Sequence, residues 1–540
     1  MLSAVRVSRA HGTAVVLEEV SVSIGPDTRM GVVGPNGIGK STLLRILAGL
    51  EQPDEGRVER APASLTVGYL PQEPDARPGE TLAAYLARRT GVAEAEAELD
   101  RLTAAMADDS SLVEAYSEAL ERFLALGGDD LAARAGEVVA DVGLPPDRMH
   151  VEIANLSGGQ AARAALAAIL LSRYDVFLLD EPTNNLDFAG LDQLEEFLAG
   201  LGGAVAVVSH DRAFLDRAVT SILEIEEETH RAREFAGGWS DYVAARELAV
   251  SQQYAAHERY VAERSRLNER LRTQRSWSEQ GVRNAKKRPK DNDKAQRGFF
   301  VNRTEKQAGK VKITEQSLAR LDVVDKPWEG WQLRLSLAPT ARSGDIVARL
   351  EEAVIHRGSF ALGPVSLEIA WQERVAFVGP NGSGKTTLLQ AILGAVPLAA
   401  GRRYLGPGVV VGEMDQTRGL FGGDERVLDT FTAATGLASA AEARSLLAKF
   451  ALGPDHVMRA GGQLSPGERS RAILATLMAA GVNCLVLDEP TNHLDLAAIE
   501  QLEQALDAFD GTLLLVTHDR RFLEAVHVTR TVDLAELTAS

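Results

Sequence analysis

The chain has 540 residues, enough for two or three domains with sizeable cores, and its 45% hydrophobic and 25% charged residues are ordinary for a globular protein. One cysteine excludes a disulfide framework, no uninterrupted apolar stretch reaches the roughly 18 residues of a membrane span, and the first residues lack a signal peptide's apolar core, so we expect a cytoplasmic protein. The net charge of −18 is unevenly spread, because residues 251–320 carry 18 Lys and Arg against 8 Asp and Glu, which suggests a nucleic-acid contact confined to that segment.

The first predicted element is a strand, loop and helix that bind phosphate. An apolar run at 30–33 leads into GPNGIGKS at 34–41, and a helical pattern follows at 42–48. The glycines let backbone N–H groups face phosphate oxygens, and the lysine places a positive charge near the β- and γ-phosphates. The hydroxyl ligates Mg²⁺, and the N-terminus of the helix faces the bound anion. The candidate nucleotide-binding residues of this loop are Gly34, Pro35, Asn36, Gly37, Gly39, Lys40, Ser41 and Thr42.

Four further motifs follow the first loop in a fixed order. They are Gln72 in GYLPQEP, the string LSGGQ at 156–160, Asp180-Glu181 after an apolar run, and Ser209-His210-Asp211 after another apolar run. The first two motifs are 84 residues apart, against 48 in the second half, and we place the additional 36 residues within about 92–133. This stretch is helical and strongly acidic, which predicts a short helical hairpin that contacts protein or is simply solvated.

A long connector occupies about residues 237–339. Residues 240–278 predict a polar helix, a break follows at 281–299 around the basic cluster KKRPK at 286–290, and a second helical stretch covers 304–321. Periodic Leu, Val and Tyr positions on both arms favour an ordered αα-hairpin over the solvated charged linker that composition alone would favour. The candidate RNA contacts near its tip are Arg283, Lys286, Lys287, Arg288, Lys290, Lys294 and Arg297.

The second half repeats the first. Its loop, GPNGSGKT at 379–386, again lies between an apolar run and a helical pattern, and the candidate nucleotide-binding residues are Gly379, Pro380, Asn381, Gly382, Gly384, Lys385, Thr386 and Thr387. The motifs then recur in the same order: Gln416 in GEMDQT, LSPGE at 464–468, Asp488-Glu489, and Thr517-His518-Asp519. This repeat predicts an α/β protein with two tandem P-loop NTPase domains, at 1–236 and 340–540, joined by the helical hairpin linker at 237–339.

ATP hydrolysis gives a role to each recurring residue, because it requires Mg²⁺, a positioned water and charge compensation on the γ-phosphate. Lys40 and Lys385 supply the cation. The candidate metal ligands are Ser41, Gln72, Asp180, Thr386, Gln416 and Asp488. The candidate catalytic residues are the water-polarising carboxylates and the histidines that contact the γ-phosphate, namely Glu181, Glu489, His210 and His518. Each pattern alone is more often structural, but all of them recur twice in one order.

The two signature strings, LSGGQ and LSPGE, predict that the halves face each other head to tail. A glycine-rich turn that opens a helix is a further anion-binding site, and within one domain the phosphates are already bound. We therefore expect Ser157, Gly158 and Gly159 to serve the nucleotide bound at Lys385. Likewise, Ser465 and Gly467 would serve the nucleotide bound at Lys40. ATP would then hold the halves closed, and hydrolysis would release them.

These motifs resemble those of the ATP-binding-cassette (ABC) ATPases and cover nearly all of both halves. Two cassettes in one chain, the strings EPTNNLD and EPTNHLD, GGWSDY at the connector entrance and the basic helical connector are similar to the ABC-F subfamily. The resemblance implies two tandem ABC domains, ATP and Mg²⁺ as cofactors, and a monomer whose cassettes pair. It further implies that the ATP-bound form binds the ribosome, with the linker at 240–330 reaching tRNA and rRNA near the peptidyl-transferase centre. The acidic insertion would be the family's arm.

Two departures from the family pattern carry expectations. Pro466 and Glu468 replace the signature's Gly and Gln. Because proline lacks an N–H donor, we expect the site on Lys40 to differ in rate from its twin. No aromatic residue is expected near His11 or His356, where the family stacks adenine, so the choice between ATP and GTP stays open.

Two other classes of protein fit the sequence less well. The alternative is the nucleotide-binding subunit of an ABC exporter, but an exporter has no use for a basic hairpin between its cassettes. DNA-repair and chromosome ATPases insert zinc modules or very long coiled coils, which one cysteine and a 36-residue insertion do not match. Within the resembled family, proteins that regulate translation and proteins that protect the ribosome against antibiotics such as macrolides have the same catalytic residues. The sequence therefore leaves the choice between these two roles open.

Overall fold

A computed structural model describes residues 1–12, 14–71, 77–106, 110–156, 158–184, 186–287, 310–322, 342–358, 360–414, 419–450, 452–492 and 494–537. The described residues within Met1–Ser240 and Gln332–Ser540 form one compact unit, and those within Asp241–Trp331 form a second. The three domain limits given above stay predictions. Among the helices of the described ranges, none combines the length and the apolar character that crossing a membrane requires.

The first half contains two sheets. Its strands are β1 (Leu2–His11), β2 (Ala14–Ile24), β3 (Arg29–Val33), β4 (Glu55–Arg60), β5 (Val67–Leu70), β6 (Val176–Asp180), β7 (Ala204–Val208), β8 (Ser221–Ile225) and β9 (Ala232–Ala236). The larger sheet has the order β5-β6-β7-β3-β8-β9, in which every neighbouring pair is parallel except β8 and β9. In the smaller sheet, β1 pairs antiparallel with β2 and β4. Because the carboxyl ends of parallel strands meet at one edge, the residues after β3, β6 and β7 come together there.

The helices described in the first half are α1 (Lys40–Ala48), α2 (Leu82–Arg89), α3 (Val92–Met106), α4 (Val113–Ala125), α5 (Leu131–Asp141), α6 (Gly158–Leu171), α7 (Phe188–Gly200) and α8 (Arg212–Ala218). The stretch at 92–133 contains α3 and α4, which pack against each other, and the first residues of α5. Helices α7 and α8 follow Asp187 and Asp211, whose side chains accept hydrogen bonds from backbone N–H groups of the first turn. These caps fix where both helices begin.

The connector contains α9 (Trp239–Lys287) and α10 (310–319). The two helices contact each other through residues that are 40 positions apart in the sequence. The Thr314 hydroxyl lies 2.9 Å from the Gln274 amide oxygen, and Arg275 donates to Glu315 at 2.7 Å. The predicted αα-hairpin is therefore confirmed. The predicted break at Gly281 is wrong, because α9 continues to Lys287. One glycine costs a helix only about 1 kcal/mol, which a long helix tolerates.

The candidate RNA contacts fall partly within α9. Three of them lie in its last two turns: Arg283, Lys286 and Lys287. The other four lie outside the described residues: Arg288, Lys290, Lys294 and Arg297.

The described residues of the second half repeat this architecture, with five strands in the larger sheet against six in the first half. Its strands are β10 (Ile346–Arg357), β11 (Phe360–Ala370), β12 (Arg374–Val378), β13 (Ala400–Leu405), β14 (Val411–Met414), β15 (Cys484–Asp488), β16 (Thr512–Val516) and β17 (Arg530–Asp533). The parallel sheet has the order β14-β15-β16-β12-β17, and the antiparallel sheet has the order β11-β10-β13. The described helices are α11 (Lys385–Leu393), α12 (Val427–Thr435), α13 (Ala440–Lys449), α14 (Pro454–Met458), α15 (Pro466–Ala479), α16 (Leu496–Asp507), α17 (Arg520–Ala525) and α18 (Leu534–Leu537).

The parallel strands are apolar on both faces because both faces are covered. In β15, Leu485 and Leu487 pack into a core that includes the helical region of the second half. Cys484 and Val486 point the other way, into a core shared with the antiparallel sheet. This burial accounts for the near-continuous apolar runs that precede the acidic motifs. It also places Cys484 as a small core residue, in which burial raises the pKa of the thiol to about 12.

Candidate active sites

Both phosphate loops turn through a glycine in the left-handed region directly before the helix. Gly39 (φ 113°) precedes α1, and Gly384 (φ 99°) precedes α11. A Cβ added at Gly39 would lie 2.5 Å from a Val16 methyl carbon, and one at Gly384 would lie 2.7 Å from the Phe360 ring. Glycine fits both the backbone angle and the space, so each loop can present its backbone to an anion at the helix N-terminus.

The loop lysines are buried and folded onto their own loops. Lys40 Nζ donates to the carbonyl oxygens of the first two loop residues at 2.8 and 3.0 Å, and Lys385 Nζ donates to their counterparts at 2.9 and 3.1 Å. Burial lowers the pKa of both ammonium groups, and the neighbouring carboxylates, Glu181 first for Lys40 and Glu489 first for Lys385, oppose that effect. Each lysine is thus held at the place where the motif predicts a phosphate.

Each loop hydroxyl lies against the aspartate that ends the second strand of the parallel sheet, β6 or β15. Ser41 donates to Asp180 at 3.0 Å, and Thr386 donates to Asp488 at 2.7 Å. Tyr69, which the sequence analysis did not name, donates to the second oxygen of Asp180 at 2.9 Å. Burial raises the pKa of both aspartates.

These oxygen donors fit Mg²⁺, a hard cation that takes one or two protein oxygens and completes its shell with phosphates and water. The described part of the chain shows no group of three or more His, Cys, Asp or Glu that would hold a metal by itself. The two glutamines predicted to contribute, Gln72 and Gln416, lie outside the described residues.

The candidate bases occupy the same strained backbone position in both halves. Glu181 and Glu489 follow β6 and β15 with φ of 53° and 47°, a left-handed conformation that costs a non-glycine residue about 1–3 kcal/mol. His210 Nε2 lies 3.0 Å from Glu181, and His518 Nε2 lies 3.5 Å from Glu489. The predicted glutamate and histidine of each half are therefore adjacent, as positioning a water molecule requires.

The two glutamates differ electrostatically. Burial raises the pKa of Glu489 to about 7, although the charge of Lys385 opposes the shift. Burial would also raise the pKa of Glu181, but the contact with His210 and the charge of Lys40 outweigh it, so that this pKa is lowered. Burial lowers the pKa of His518 to about 4, which keeps this imidazole neutral at physiological pH.

One aspartate joins each phosphate loop to the opposite half. Asp187 accepts a hydrogen bond from Asn381 N at 2.7 Å, and Asp495 accepts one from Asn36 N at 3.1 Å. The other oxygen of each carboxylate caps its own helix, α7 at 3.0 Å and α16 at 2.9 Å. The sequence analysis did not name these aspartates, although both occupy the same place in EPTNNLD and EPTNHLD.

A cavity of about 710 Å³, open to solvent on one side, lies at the head-to-tail contact. Gly158 and Gly159, from the first signature, line it together with Lys385 and Glu489 from the second half. The remaining predicted residues in its wall are Asn381, Gly382, Gly384, Thr386, Thr387, Asp488, His518 and, from the first half, His210. The third predicted residue of the first signature, Ser157, lies outside the described residues. The cavity thus combines the loop of one half with the signature of the other.

An aromatic residue also lines this cavity, so the expectation that none lies near His356 is wrong for the second half. Phe360 begins β11 directly after the turn and lies in the cavity wall beside Arg357. The corresponding place in the first half is Ala14, because it pairs with the end of β1 as Phe360 pairs with the end of β10. A flat ring beside the phosphate loop is suited to stacking on a nucleobase.

Known proteins resemble this chain in sequence and in fold. A family model described as "ABC transporter" matches residues 17–184 and 362–492. The chain is 35% identical to the tylosin resistance ATP-binding protein TlrC of Streptomyces fradiae, over 95% of this chain and 94% of that protein. It is 33% identical to the energy-dependent translational throttle protein EttA of Mycobacterium tuberculosis, over 96% of this chain and 88% of that protein. The fold is shared with an archaeal ribosome recycling factor, aABCE1, whose structure was solved in complex with the archaeal ribosomal stalk protein aP1. The TM-score is 0.56 and the sequence identity is 20%, over 98% of this chain and 87% of that chain.

Proposed function

The chain belongs to the ABC-F group of ABC ATPases and is an ATP hydrolase, and from this premise we propose that it binds the ribosome in an ATP-bound closed state and leaves when ATP is hydrolysed. The observation that carries the proposal is the reciprocal pair of contacts in which Asp187 and Asp495 each hold the loop of the opposite half. Since both loops bind across the same interface, nucleotide at either loop favours closure.

We propose the following tasks for the site residues, and the distances given above support them. Bound Mg²⁺ would neutralise charge on the β- and γ-phosphates, held by Ser41 and Asp180 in one site and by Thr386 and Asp488 in the other. Glu489 is placed to accept a proton from the attacking water, and His518 to orient that water and the γ-phosphate. The matching residues of the first half, Glu181 and His210, are placed for the same tasks.

Co-sedimentation with ribosomes tests the closed-state proposal. Replacing both glutamates, Glu181→Gln with Glu489→Gln, removes the proton acceptors but keeps nucleotide binding, so we expect the variant to pellet with ribosomes when ATP is present. Replacing both loop lysines, Lys40→Ala with Lys385→Ala, is the matched control and should stay in the supernatant. A double glutamine variant that pellets no better than this control would contradict the proposal.

We assign RNA contact to the tip of the connector, directed at tRNA and rRNA near the peptidyl-transferase centre. The support is the excess of positive charge in 251–320 and the placement of Lys286 and Lys287 at the end of a 49-residue helix. At about 1.5 Å per residue, α9 is long enough to reach deep into RNA. Names among the relatives support a role in translation or in resistance to a macrolide such as tylosin.

Charge reversal tests the connector assignment. We expect Lys286→Glu with Lys287→Glu to lower ribosome-stimulated ATPase while the rate without ribosomes stays within about twofold, and the loss to shrink as salt rises. The matched control reverses Arg264 and Arg266, which are exposed on the same helix. Equal losses of ribosome-stimulated ATPase in both pairs would assign the effect to total charge and not to the tip.

Drug susceptibility then separates resistance from translation regulation. It is measured for a macrolide, a lincosamide and a pleuromutilin, in deletion and overexpressing strains.

A further inference from the structure

We propose that Arg521 is a positioning residue that fastens the start of the connector to the second half, so that RNA on the connector and ATP at the interface favour each other. The root of the connector is formed by the first two residues of α9, Trp239 and Ser240. The proposal rests on the function proposed above, because it takes the connector to contact RNA and the halves to close on ATP. It adds the residue through which the two binding events are coupled.

An aspartate of the first half anchors the root. Asp216, in α8, accepts a hydrogen bond from Ser240 N at 2.6 Å with one oxygen and from the Ser240 hydroxyl at 2.7 Å with the other. The chain passes so close to α8 that a Cβ at Gly238 would lie 3.0 Å from a carboxylate oxygen of Asp216 and 3.2 Å from its Cα. Trp239, between the glycine and the serine, is buried. The first half therefore holds the root mainly at one polar residue.

The second half adds a third member to this contact. Arg521, in α17, donates to Asp216 and, at 2.9 Å, to the Ser240 hydroxyl. Hydrogen bonds between two charged groups are among the strong ones in proteins. The side chains of Arg521 and Asp216 are 33% and 23% exposed, so the pair is screened less than a fully exposed pair would be. We call Asp216, Ser240 and Arg521 the root junction.

The root junction is complete only while the halves are together. Asp216 and Ser240 belong to the first half and Arg521 to the second, so separating the halves removes the arginine and leaves the two hydrogen bonds between Ser240 and Asp216. Arg521 lies two residues after Asp519, whose side chain caps α17 directly behind the candidate γ-phosphate contact. Closure of the halves on nucleotide therefore brings Arg521 to the root.

Coupling between RNA and nucleotide follows from this arrangement by thermodynamic linkage. If closure adds a contact that sets the direction of the root, then a partner that favours this direction favours closure by the same factor. α9 is one helix of 49 residues, and a rigid helix carries the orientation of its first turn along its length. RNA on the connector thus selects the orientation in which Arg521 reaches Asp216, and this orientation belongs to the closed interface.

The root junction is not a repeated feature of the two halves. Ala213 of α8 stands where α17 has Arg521, and Glu524 of α17 stands where α8 has Asp216. Because alanine has no side-chain donor, the first half cannot make the reciprocal contact. The connector follows the first half, and the arginine lies on the helix of the other half that reaches its root.

The alternative is that Arg521 is an ordinary ion pair between the halves. Its neighbour Arg520 is the matched control, since it pairs with Asp192 of the first half at 2.6 Å and also contacts Glu195, neither of which lies in the connector. A residue that only supports closure should lower ATPase by the same factor with and without RNA. A positioning residue at the root should in addition lower the stimulation by RNA.

ATPase rates with and without saturating ribosomes test the coupling. We expect Arg521→Ala to lower the ratio of the two rates by about fivefold or more and Arg520→Ala to leave this ratio within about twofold. Without ribosomes, both variants should stay within about twofold of the unmodified chain. Arg521→Lys keeps the charge and should keep about half of the stimulation or more. Equal ratios for Arg521→Ala and Arg520→Ala would overturn the proposal.

A double-mutant cycle shows whether Arg521 acts through Asp216. Asp216→Asn keeps an acceptor for Ser240 N and removes the charge that Arg521 faces, so alone it should cause about the same loss of stimulation as Arg521→Ala. The two changes together should cause no further loss. Losses that multiply would show that Arg521 acts independently of the root junction, against the proposal.

Hydrogen exchange provides a readout that needs no ribosome. In the double glutamine variant described above, which binds ATP without hydrolysing it, we expect ATP to slow exchange of the Ser240 amide by about fivefold or more. Adding Arg521→Ala should abolish this slowing, and adding Arg520→Ala should preserve it. A root amide that does not respond to ATP would overturn the proposal. A root that responds to ATP in a chain that does not bind ribosomes would refute the proposed ribosome binding and keep Arg521 as the contact through which closure fixes the root.

Discussion

Asp187 and Asp495 use their two carboxylate oxygens for different purposes. One oxygen caps a helix of the same half, and the other accepts the loop N–H of Asn381 or Asn36 from the opposite half. A cap of this type is worth about 1 kcal/mol to the helix. The second contact adds no helix stability and reports only on closure, so the two contributions are separable by substitution.

We predict that Asp187→Asn lowers ATPase by about three- to tenfold with little change in thermal stability. The amide oxygen still caps α7, but the NH₂ group then faces the Asn381 N–H, and an unmet backbone donor costs about 1 kcal/mol or more. ATPase rates and melting temperatures measure the two effects. Ser439→Asn, at the cap of α13, is the control and should leave the rate unchanged. A loss of rate that tracks a loss of melting temperature would assign Asp187 to the helix alone.

Asp519 lies buried where the halves meet, and its environment makes stability depend on pH. Burial, the charge of Asp211 and the charge of Glu503 raise its pKa to about 6 from the unfolded value of 3.8, against the attraction of Arg212. The folded chain therefore holds a proton that the unfolded chain has lost between about pH 4 and pH 6. This contribution to stability is fully present below pH 4 and is lost as the pH rises through 6.

We predict that Asp519→Asn stabilises the chain at pH 7.5 by about 1–3 kcal/mol and that the gain vanishes near pH 4. Asparagine carries no charge and still caps α17, where Asp519 accepts from Phe522 N at 2.9 Å. Urea unfolding midpoints at pH 4.5 and 7.5 provide the measurement. His518, whose pKa is lowered and whose contribution has the opposite sign, is present in both proteins and cancels in the comparison. An equal difference at both pH values would contradict the prediction.

At the scale of elements, the short helices that follow the two histidines form a seam between the halves. Arg212, in α8, pairs with Glu503 of the second half, and Arg520, in α17, pairs with Asp192 of the first half at 2.6 Å. Each helix begins one residue after Asp211 or Asp519, directly behind a candidate γ-phosphate contact, so the seam lies within one helical turn of each nucleotide site. Arg521 has no arginine counterpart in α8, where Ala213 stands, so the seam is asymmetric.

We predict that Arg521→Ala lowers the free energy of unfolding by about 1–3 kcal/mol, the cost of losing hydrogen bonds to a charged group. Arg521 donates to Asp216, whose carboxylate also accepts from Ser240 N at 2.6 Å and Ser240 Oγ at 2.7 Å. A double-mutant cycle with Asp216→Ala should give a coupling energy of about 1 kcal/mol or more. Arg402→Ala, at an exposed arginine of β13, is the control, with an expected change below about 0.5 kcal/mol. A coupling energy near zero would contradict the prediction.

Sequence reasoning succeeded where a motif is short and its geometry is local. The loop residues, the acidic pairs and the histidines all lie at the ends of buried parallel strands, because apolar runs fix those strands. The contact of Asp187 with Asn381 joins residues 194 apart, and nothing local to either residue encodes it. Phe360 was overlooked because its approach to the loop depends on how a turn places β11. Gly281 was read as a break, although the flanking helical residues override it.

At the scale of the whole molecule, the two halves contact each other reciprocally without being identical. Each loop is held by an aspartate of the opposite half, so closing one site brings the other together as well. The signatures do not share this reciprocity, since Gly159 meets the opposite loop and Gly467 meets its own half. One interface can thus close on two nucleotides while its two sites differ in tightness.

An engineered disulfide tests closure and its asymmetry together. A Cβ at position 159 lies 3.3 Å from Asn381 Cβ, close to the separation of about 3.5–4.5 Å that a disulfide needs, so Gly159→Cys with Asn381→Cys should crosslink under mild oxidation. Cys484 does not compete, because it is buried and its pKa is raised to about 12. The matched pair, Gly467→Cys with Asn36→Cys, should crosslink at least about tenfold more slowly, as measured by non-reducing gel mobility and mass spectrometry. Equal rates for the two pairs would contradict the asymmetry, and no crosslink in either pair, with ATP present, would contradict closure itself.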